Sequence, residues 1–209
     1  MESYKLNVKC PVCDYEFKGH VLSSYKIEGY RYDFKPIFNR KNLLKYYIWF
    51  CKNCHFSGYD DRFTFKSYHR SYTDDEIKEI KSLKKYRINL PYKFYRAGEI
   101  GEILMEDNYS LLDYYLKSYW VSKDKKKKFW LKKSLKKLFE LSQKIKDNPK
   151  NNEEKFVSTY LLGYLNSTKE NTDHANYHFL DLIRMKNIPQ KYKKYFNFAL
   201  EYLKEKDEK

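Results

Sequence analysis

Cys10-Pro11-Val12-Cys13 and Cys51-Lys52-Asn53-Cys54 contain every cysteine of this 209-residue chain. Each stretch is C-x-x-C, and residues 14–50 lie between them. A C-x-x-C turn leaving a strand brings two sulfurs to one point. Two such turns supply the four thiolates of a tetrahedral Zn²⁺ site. The spacing therefore predicts a structural zinc site made of Cys10, Cys13, Cys51 and Cys54. A rubredoxin-like iron site uses the same ligands and stays open. A redox C-x-x-C would need a βαβ setting, which the flanking pattern lacks. Disulfides would need an exported protein. Four buried free thiols would leave the paired spacing without a reason. Four protein sulfurs fill a coordination sphere and leave no position for water or substrate, so such a site folds a domain and hydrolyses nothing. His55 follows Cys54 directly but is not needed as a ligand.

The flanks read as short strands. Tyr4, Leu6 and Val8 alternate with Lys5, Asn7 and Lys9, a half-buried strand running into the first cysteine pair. Tyr15–Lys18 alternates again, Val21–Ile27 is a further strand candidate, and Gly29–Asn42 with Pro36 is loop-like. The apolar run Tyr46-Tyr47-Ile48-Trp49-Phe50 delivers the second pair, and Phe56-Ser57-Gly58-Tyr59 leaves it. Residues 1–72 thus read as a small antiparallel zinc ribbon. It is too poor in strands for a large core, so metal would supply much of its stability, on the order of 10 kcal/mol.

One resemblance rests on these residues. Cys10-Pro11-Val12-Cys13, Phe17, Asp33-Phe34-x-Pro36, the aromatic residues before Cys51-Lys52-Asn53-Cys54, and Phe56-x-Gly58-Tyr59 together resemble the bacterial family catalogued as domain of unknown function 2225. The resemblance covers most of the chain. It implies an N-terminal four-cysteine region and a helical C-terminal half with tetratricopeptide-like repeats, and it brings no activity with it. The chain departs from the family at Asp14 and His55, where glycine usually follows each pair and relieves crowding over the metal. For the Asp33-Phe34-x-Pro36 patch the plain reading is a turn capped by Asp33, with Phe34 packed under the ribbon and Pro36 stiffening the loop.

From Thr73 the pattern is helical. Thr73 and Glu76 form a capping box that starts a helix running to about Tyr86. Asn89-Leu90-Pro91 breaks it. Further helices are expected near 91–106, 110–122, 125–147, 152–167, 171–186 and 190–205, with short connections that make neighbours antiparallel. Leu162-Gly163, Ala175, Phe179 and Pro189 follow the tetratricopeptide skeleton L-G…A-x-x-x-F…P. In that reading Gly163 admits the second helix, Ala175 faces it and Phe179 fills the groove. Thr159 and Asn166 depart from the usual Trp and Tyr, and Pro189 falls two residues late. The 110–122 and 125–147 helices are the candidate preceding repeat, and the last helix caps the array.

The formal charge of +15 attracts polyanions, but only seven of the 43 basic residues are Arg. Proteins that read phosphate or guanine bidentately favour Arg. Lys125–Lys128 opens the long helix, and Lys132, Lys133, Lys136 and Lys137 continue it around a stripe of Leu131, Leu135, Leu138 and Ile145. The stripe is core, and the lysines read first as its solvated outer face. His20, His55, His69, His174 and His178 are scattered. His174 and His178 share a helix face near Asp173 and Asp181 but read as ordinary helix residues. There is no H-E-x-x-H, Gly-rich phosphate loop or G-x-S-x-G. No apolar h-region and no run of eighteen apolar residues are present, so neither export nor a membrane span is expected.

The expectation is an α+β chain with a zinc-ribbon-like domain over 1–72 and a tetratricopeptide-like helical domain over 73–209. Its expected role is a non-enzymatic, cytoplasmic, zinc-binding adaptor with an unidentified protein partner and no membrane contact. The alternative is a basic nucleic-acid-binding protein gripping phosphate through the ribbon and Lys132, Lys133, Lys136 and Lys137. Oligomeric state is left open by the sequence.

Overall fold

The computed structural model describes residues 3–39, 43–64 and 72–207. His69 and the last part of the expected loop, residues 40–42, lie outside them. No helix among the described residues is long and apolar enough to cross a membrane.

Among the described residues, six short strands form three separate two-stranded pairs. β1 (Ser3–Lys9) and β2 (Glu16–Leu22) are antiparallel, with Val8 opposite Phe17 and Lys9 opposite Glu16. The alternation read at Tyr4–Lys9 is therefore this strand. β3 (Ile27–Tyr30) pairs with β4 (Pro36–Phe38), where the sequence suggested a strand over 21–27 followed by loop. A turn at Arg31–Lys35 explains the difference: the Arg31 N–H donates to the Lys35 carbonyl at 2.8 Å, and the Phe34 N–H to the Arg31 carbonyl at 3.1 Å. A short helix, α1 (Leu44–Tyr47), precedes β5 (Trp49–Phe50), so the aromatic run is half helix and half strand. Leu44 and Ile48 are both buried, one helical turn apart. β6 (Ser57–Gly58) pairs antiparallel with β5, and α2 (Asp61–Thr64) follows.

The helices follow the caps. Thr73 caps α3 (Asp74–Ser82) through the Glu76 N–H, and the Glu76 carboxylate accepts from the Thr73 N–H in return. Asn89 caps α4 (Leu90–Ile103), with Pro91 in its first turn where the missing N–H costs nothing. Asp107 caps α5 (Asn108–Asp124), α6 covers Lys128–Asp147, and Asn151 caps α7 (Asn152–Ser167). α8 (Thr172–Ile183), a 3-10 turn at Gln190–Tyr192 and α9 (Lys193–Asp207) complete the chain.

Two compact units result, Met1–Gly29 with Pro36–Ser134, and Tyr30–Lys35 with Leu135–Lys209. The division does not fall at residue 72, as the sequence suggested. In the first unit the two-stranded pairs cannot close a core, and helices close it for them. Val8, Val12, Trp49 and Phe56 share one buried cluster with the cysteines and with Ile80, Ile100 and Leu104 from α3 and α4. α4 also packs on α5. A Cβ on Gly98 would lie 2.5 Å from the Tyr115 ring, so the two helices meet at a residue without a side chain. The sequence had instead offered the pair 110–122 with 125–147.

In the second unit α7 packs on α8. A Cβ on Gly163 would lie 2.5 Å from the Phe179 ring, and Ala175 and Phe179 are fully buried. Gly163 therefore admits the Phe179 ring. Residues 30–35 pack here too. Phe34, at φ 61°, sets its ring 4.3 Å from Tyr195 and 5.2 Å from Tyr160, and the Tyr160 hydroxyl donates to the Tyr32 carbonyl at 2.9 Å. Phe34 therefore packs among helices, not under the ribbon. Asp33 is fully buried and does cap its turn, accepting from the Lys35 N–H at 3.3 Å and pairing with the Arg31 guanidinium at 2.5 Å.

Candidate metal centre

The two cysteine pairs are built alike. After β1, the Cys10 N–H donates to the Tyr15 carbonyl at 3.0 Å and the Asp14 N–H to the Cys10 carbonyl at 2.9 Å. After β5, the Cys51 N–H donates to the Phe56 carbonyl at 2.9 Å and the His55 N–H to the Cys51 carbonyl at 3.0 Å. The second knuckle thus repeats the first hydrogen bond for hydrogen bond. The residue closing each turn is left-handed: φ is 58° at Asp14 and 65° at His55. These are the positions where the sequence lacks the expected glycine. The turn geometry forms without it, at a cost of roughly 1 kcal/mol per residue for an L side chain in that region.

The turns bring four Sγ atoms within 4.8 Å of one another. Cys10 and Cys54 stand 3.6 Å apart, and Cys13 and Cys51 3.5 Å apart. A disulfide needs about 2.05 Å, so these are free thiols. Tetrahedral coordination with Zn–S bonds of about 2.3 Å separates neighbouring sulfurs by roughly 3.8 Å. The donor set fits such an ion. Cys10, Cys51 and Cys54 are buried, and Cys13 is half-buried. The sulfurs also resist ionising together. Cys51, accepting hydrogen bonds from Cys10 and Cys54, has its thiol held far below the usual range, while the bond to Cys51 pushes the Cys10 thiol far up. A divalent cation would remove that conflict by replacing the shared protons. The four cysteines could therefore hold a metal ion.

Residues beyond the sulfurs fix the second knuckle. His55 is buried and turns its Nδ1 to the Tyr92 hydroxyl at 2.9 Å, so its ring faces α4. Burial and the nearby Lys85 charge hold its pKa down, so it stays neutral near pH 7. Arg96 on α4 is completely buried; its Nε donates to the His55 carbonyl at 3.2 Å and one terminal nitrogen to the Ile80 carbonyl at 2.9 Å. This guanidinium ties the knuckle to α3 and α4. Sequence reading passed over it, because nothing in the helical pattern marks one arginine as buried. Lys85 reaches the Asn53 carbonyl at 3.2 Å, and the Asn53 amide lies 3.5 Å from the Cys13 sulfur.

The other candidates stand elsewhere. His178 is buried on α8 with Nδ1 3.3 Å from the Lys146 ammonium, which also pairs with Asp181 at 2.8 Å. A lysine beside the ring nitrogen leaves no place for a cation, and the only cluster of metal-type ligands among the described residues is the four cysteines. The Lys ridge is divided as well. Lys132 and Lys136 are exposed. Lys133 is instead folded into an aromatic box, its ammonium 4.9 Å from the Tyr86 ring and 5.1 Å from Tyr95, with a 3.2 Å bond to the Tyr86 hydroxyl. The lysines of this helix therefore stand in different surroundings, Lys132 and Lys136 in solvent and Lys133 among rings.

No curated protein and no solved structure matches the chain. A family model described as "uncharacterized protein conserved in bacteria" does, over residues 3–205. That span takes in the four cysteines, both knuckles and every helix from α1 to α8. The chain belongs to this bacterial family, DUF2225.

Proposed function

We propose that the chain is a non-enzymatic, cytoplasmic zinc protein that acts as a protein-interaction adaptor. The observation that carries this reading is the donor set: four sulfurs within 4.8 Å, with no histidine or carboxylate among them. Such a set favours zinc and closes its coordination sphere, which makes the ion a staple for folding. Free thiols in close pairs suit a reducing compartment. The helices suit the adaptor role. α4 with α5 and α7 with α8 are two helical pairs, each closed by a glycine against an aromatic ring. This is the packing device of tetratricopeptide-like repeats, whose surfaces take peptides or helices of partner proteins.

The experiment is a pull-down from native cytoplasm with and without nuclease, using the wild type and a Gly163→Leu variant. The adaptor reading expects partners that survive nuclease and are lost in the variant. Recovery of nucleic acid alone would sink it.

A further inference from the structure

The first unit contains a cavity whose chemistry the metal site does not use. It lies between β2, α1, β5 and α4 and has a volume of about 350 Å³. Small-ligand sites run from roughly 300 to 1,000 Å³. Four lysines line it, Lys18, Lys45, Lys52 and Lys93, against a single carboxylate, Glu16. The four come from four places in the chain: β2, α1, the second knuckle and α4. Convergence from separate elements is what distinguishes a site from a charged helix face.

The rest of the wall is aromatic. Tyr15, Phe17, Tyr46, Trp49 and Phe50 contribute rings. Trp49 and Phe50 are buried and belong to the floor, while Tyr15 is 44% exposed and leaves its ring open for stacking. The Lys45 ammonium lies 4.7 Å from the Tyr46 ring centre, and that of Lys93 lies 5.4 Å from the Phe50 ring centre. Lys93 is half-buried, and no carboxylate among the described residues pairs with it. Burial, and then the charge of Lys52, hold its pKa down. A half-buried ammonium beside a second lysine carries a desolvation and repulsion cost, which an anion placed between these lysines would offset.

We propose that this cavity binds a nucleotide, either free or as one unit of a single strand. Lysines act as point charges for phosphate, and exposed rings stack on bases without regard to sequence. No Arg, Asn or Gln among the described residues lines the wall to present a planar fork to a base edge, so recognition rests on phosphate and stacking and discriminates little among bases. The proposal shares only α4, through Lys93, with the helical pairs of the adaptor reading, and it uses neither α7 and α8 nor the sulfurs.

The test is titration of the zinc-loaded full chain, followed by Trp fluorescence, with three probes: inorganic phosphate, adenosine triphosphate and a short oligothymidylate. Adenosine triphosphate or the oligothymidylate should bind at least about tenfold more tightly than inorganic phosphate, since a stacked base adds contacts that phosphate lacks. The tighter of the two identifies the source of the nucleotide. Lys18→Gln with Lys45→Gln, both at exposed positions, should weaken that binding tenfold or more. Lys132→Gln with Lys136→Gln removes the same charge from α6 and should leave it within twofold. Equal losses in both double variants would overturn the proposal, because binding would then follow net charge alone. So would phosphate binding as tightly as both other probes, or no binding of any probe by the wild type.

Discussion

Asp14 and Gly163 illustrate opposite uses of the backbone at single residues. Asp14 sits at φ 58° on an exposed turn, its side chain in a surface ion pair to Lys9 at 2.9 Å. Such a pair contributes little, so Asp14→Gly should raise stability by up to ~1 kcal/mol through relief at that φ, read as a higher denaturation midpoint in the metal-loaded protein. Gly163 has no room for a Cβ against Phe179. Gly163→Ala should cost about 1–3 kcal/mol through overpacking, and the loss should shrink when Phe179 is also trimmed to Leu. His178 gives a pH dependence. Burial first, then Lys146 and His174, push its pKa down from 6.5 to about 4, while Asp181 opposes them. The folded state holds it neutral, so the unfolded chain binds the extra proton. Its contribution is complete above pH 6.5 and is lost as pH falls toward about 4. Thermal melting of wild type against His178→Gln should show the gap closing across that window; a gap independent of pH would contradict the assignment.

Among the elements, α6 shows how far periodicity reaches. Its apolar stripe is legible from spacing alone, though only in part as core: Leu138 and Ile145 are buried, while Leu131 and Leu135 are half-buried. Periodicity places Lys133 on the outer face with Lys132. It carries no information on Tyr86, 47 residues earlier, which accepts from the Lys133 ammonium. Lys133→Gln should therefore cost about 1 kcal/mol or more, while Lys132→Gln should stay within ~0.5 kcal/mol; paired denaturant melts check this. The cap at Thr73 was legible because a capping side chain bonds within three residues of itself; Asn89, read only as part of a break, and Asp107 turn out to cap their helices in the same way. The cysteine turns were legible too, because each is a four-residue unit. The hairpin β3–β4 was not. Its strands hold four and three residues, too few for alternation to register. Nor was the site of Phe34, whose partners Tyr160 and Tyr195 lie more than a hundred residues away.

At the scale of the whole molecule, the four-cysteine cluster shares its core with helices that the sequence assigned to a separate domain. Cys10, Cys51 and Cys54 share one core with Ile80, Ile100 and Leu104, and Arg96 binds the second knuckle to α3. Sequence order kept these apart, because a domain boundary is read from local composition while a core is assembled from distant residues. Removing the ion should thus loosen more than the strands. Chelation should raise amide hydrogen exchange in α3 and α4, with α7 and α8, whose core holds no cysteine, changing much less. A fragment beginning at Thr73 should likewise lose order in α3 and α4, having left their core partners behind. The central proposal is that the four thiolates bind one structural zinc ion, and elemental analysis of the purified chain tests it most directly. The account predicts about one zinc per chain, lost together with knuckle structure in Cys51→Ser. A metal-free protein with four reactive thiols and an intact fold, or a red protein carrying iron, would contradict it.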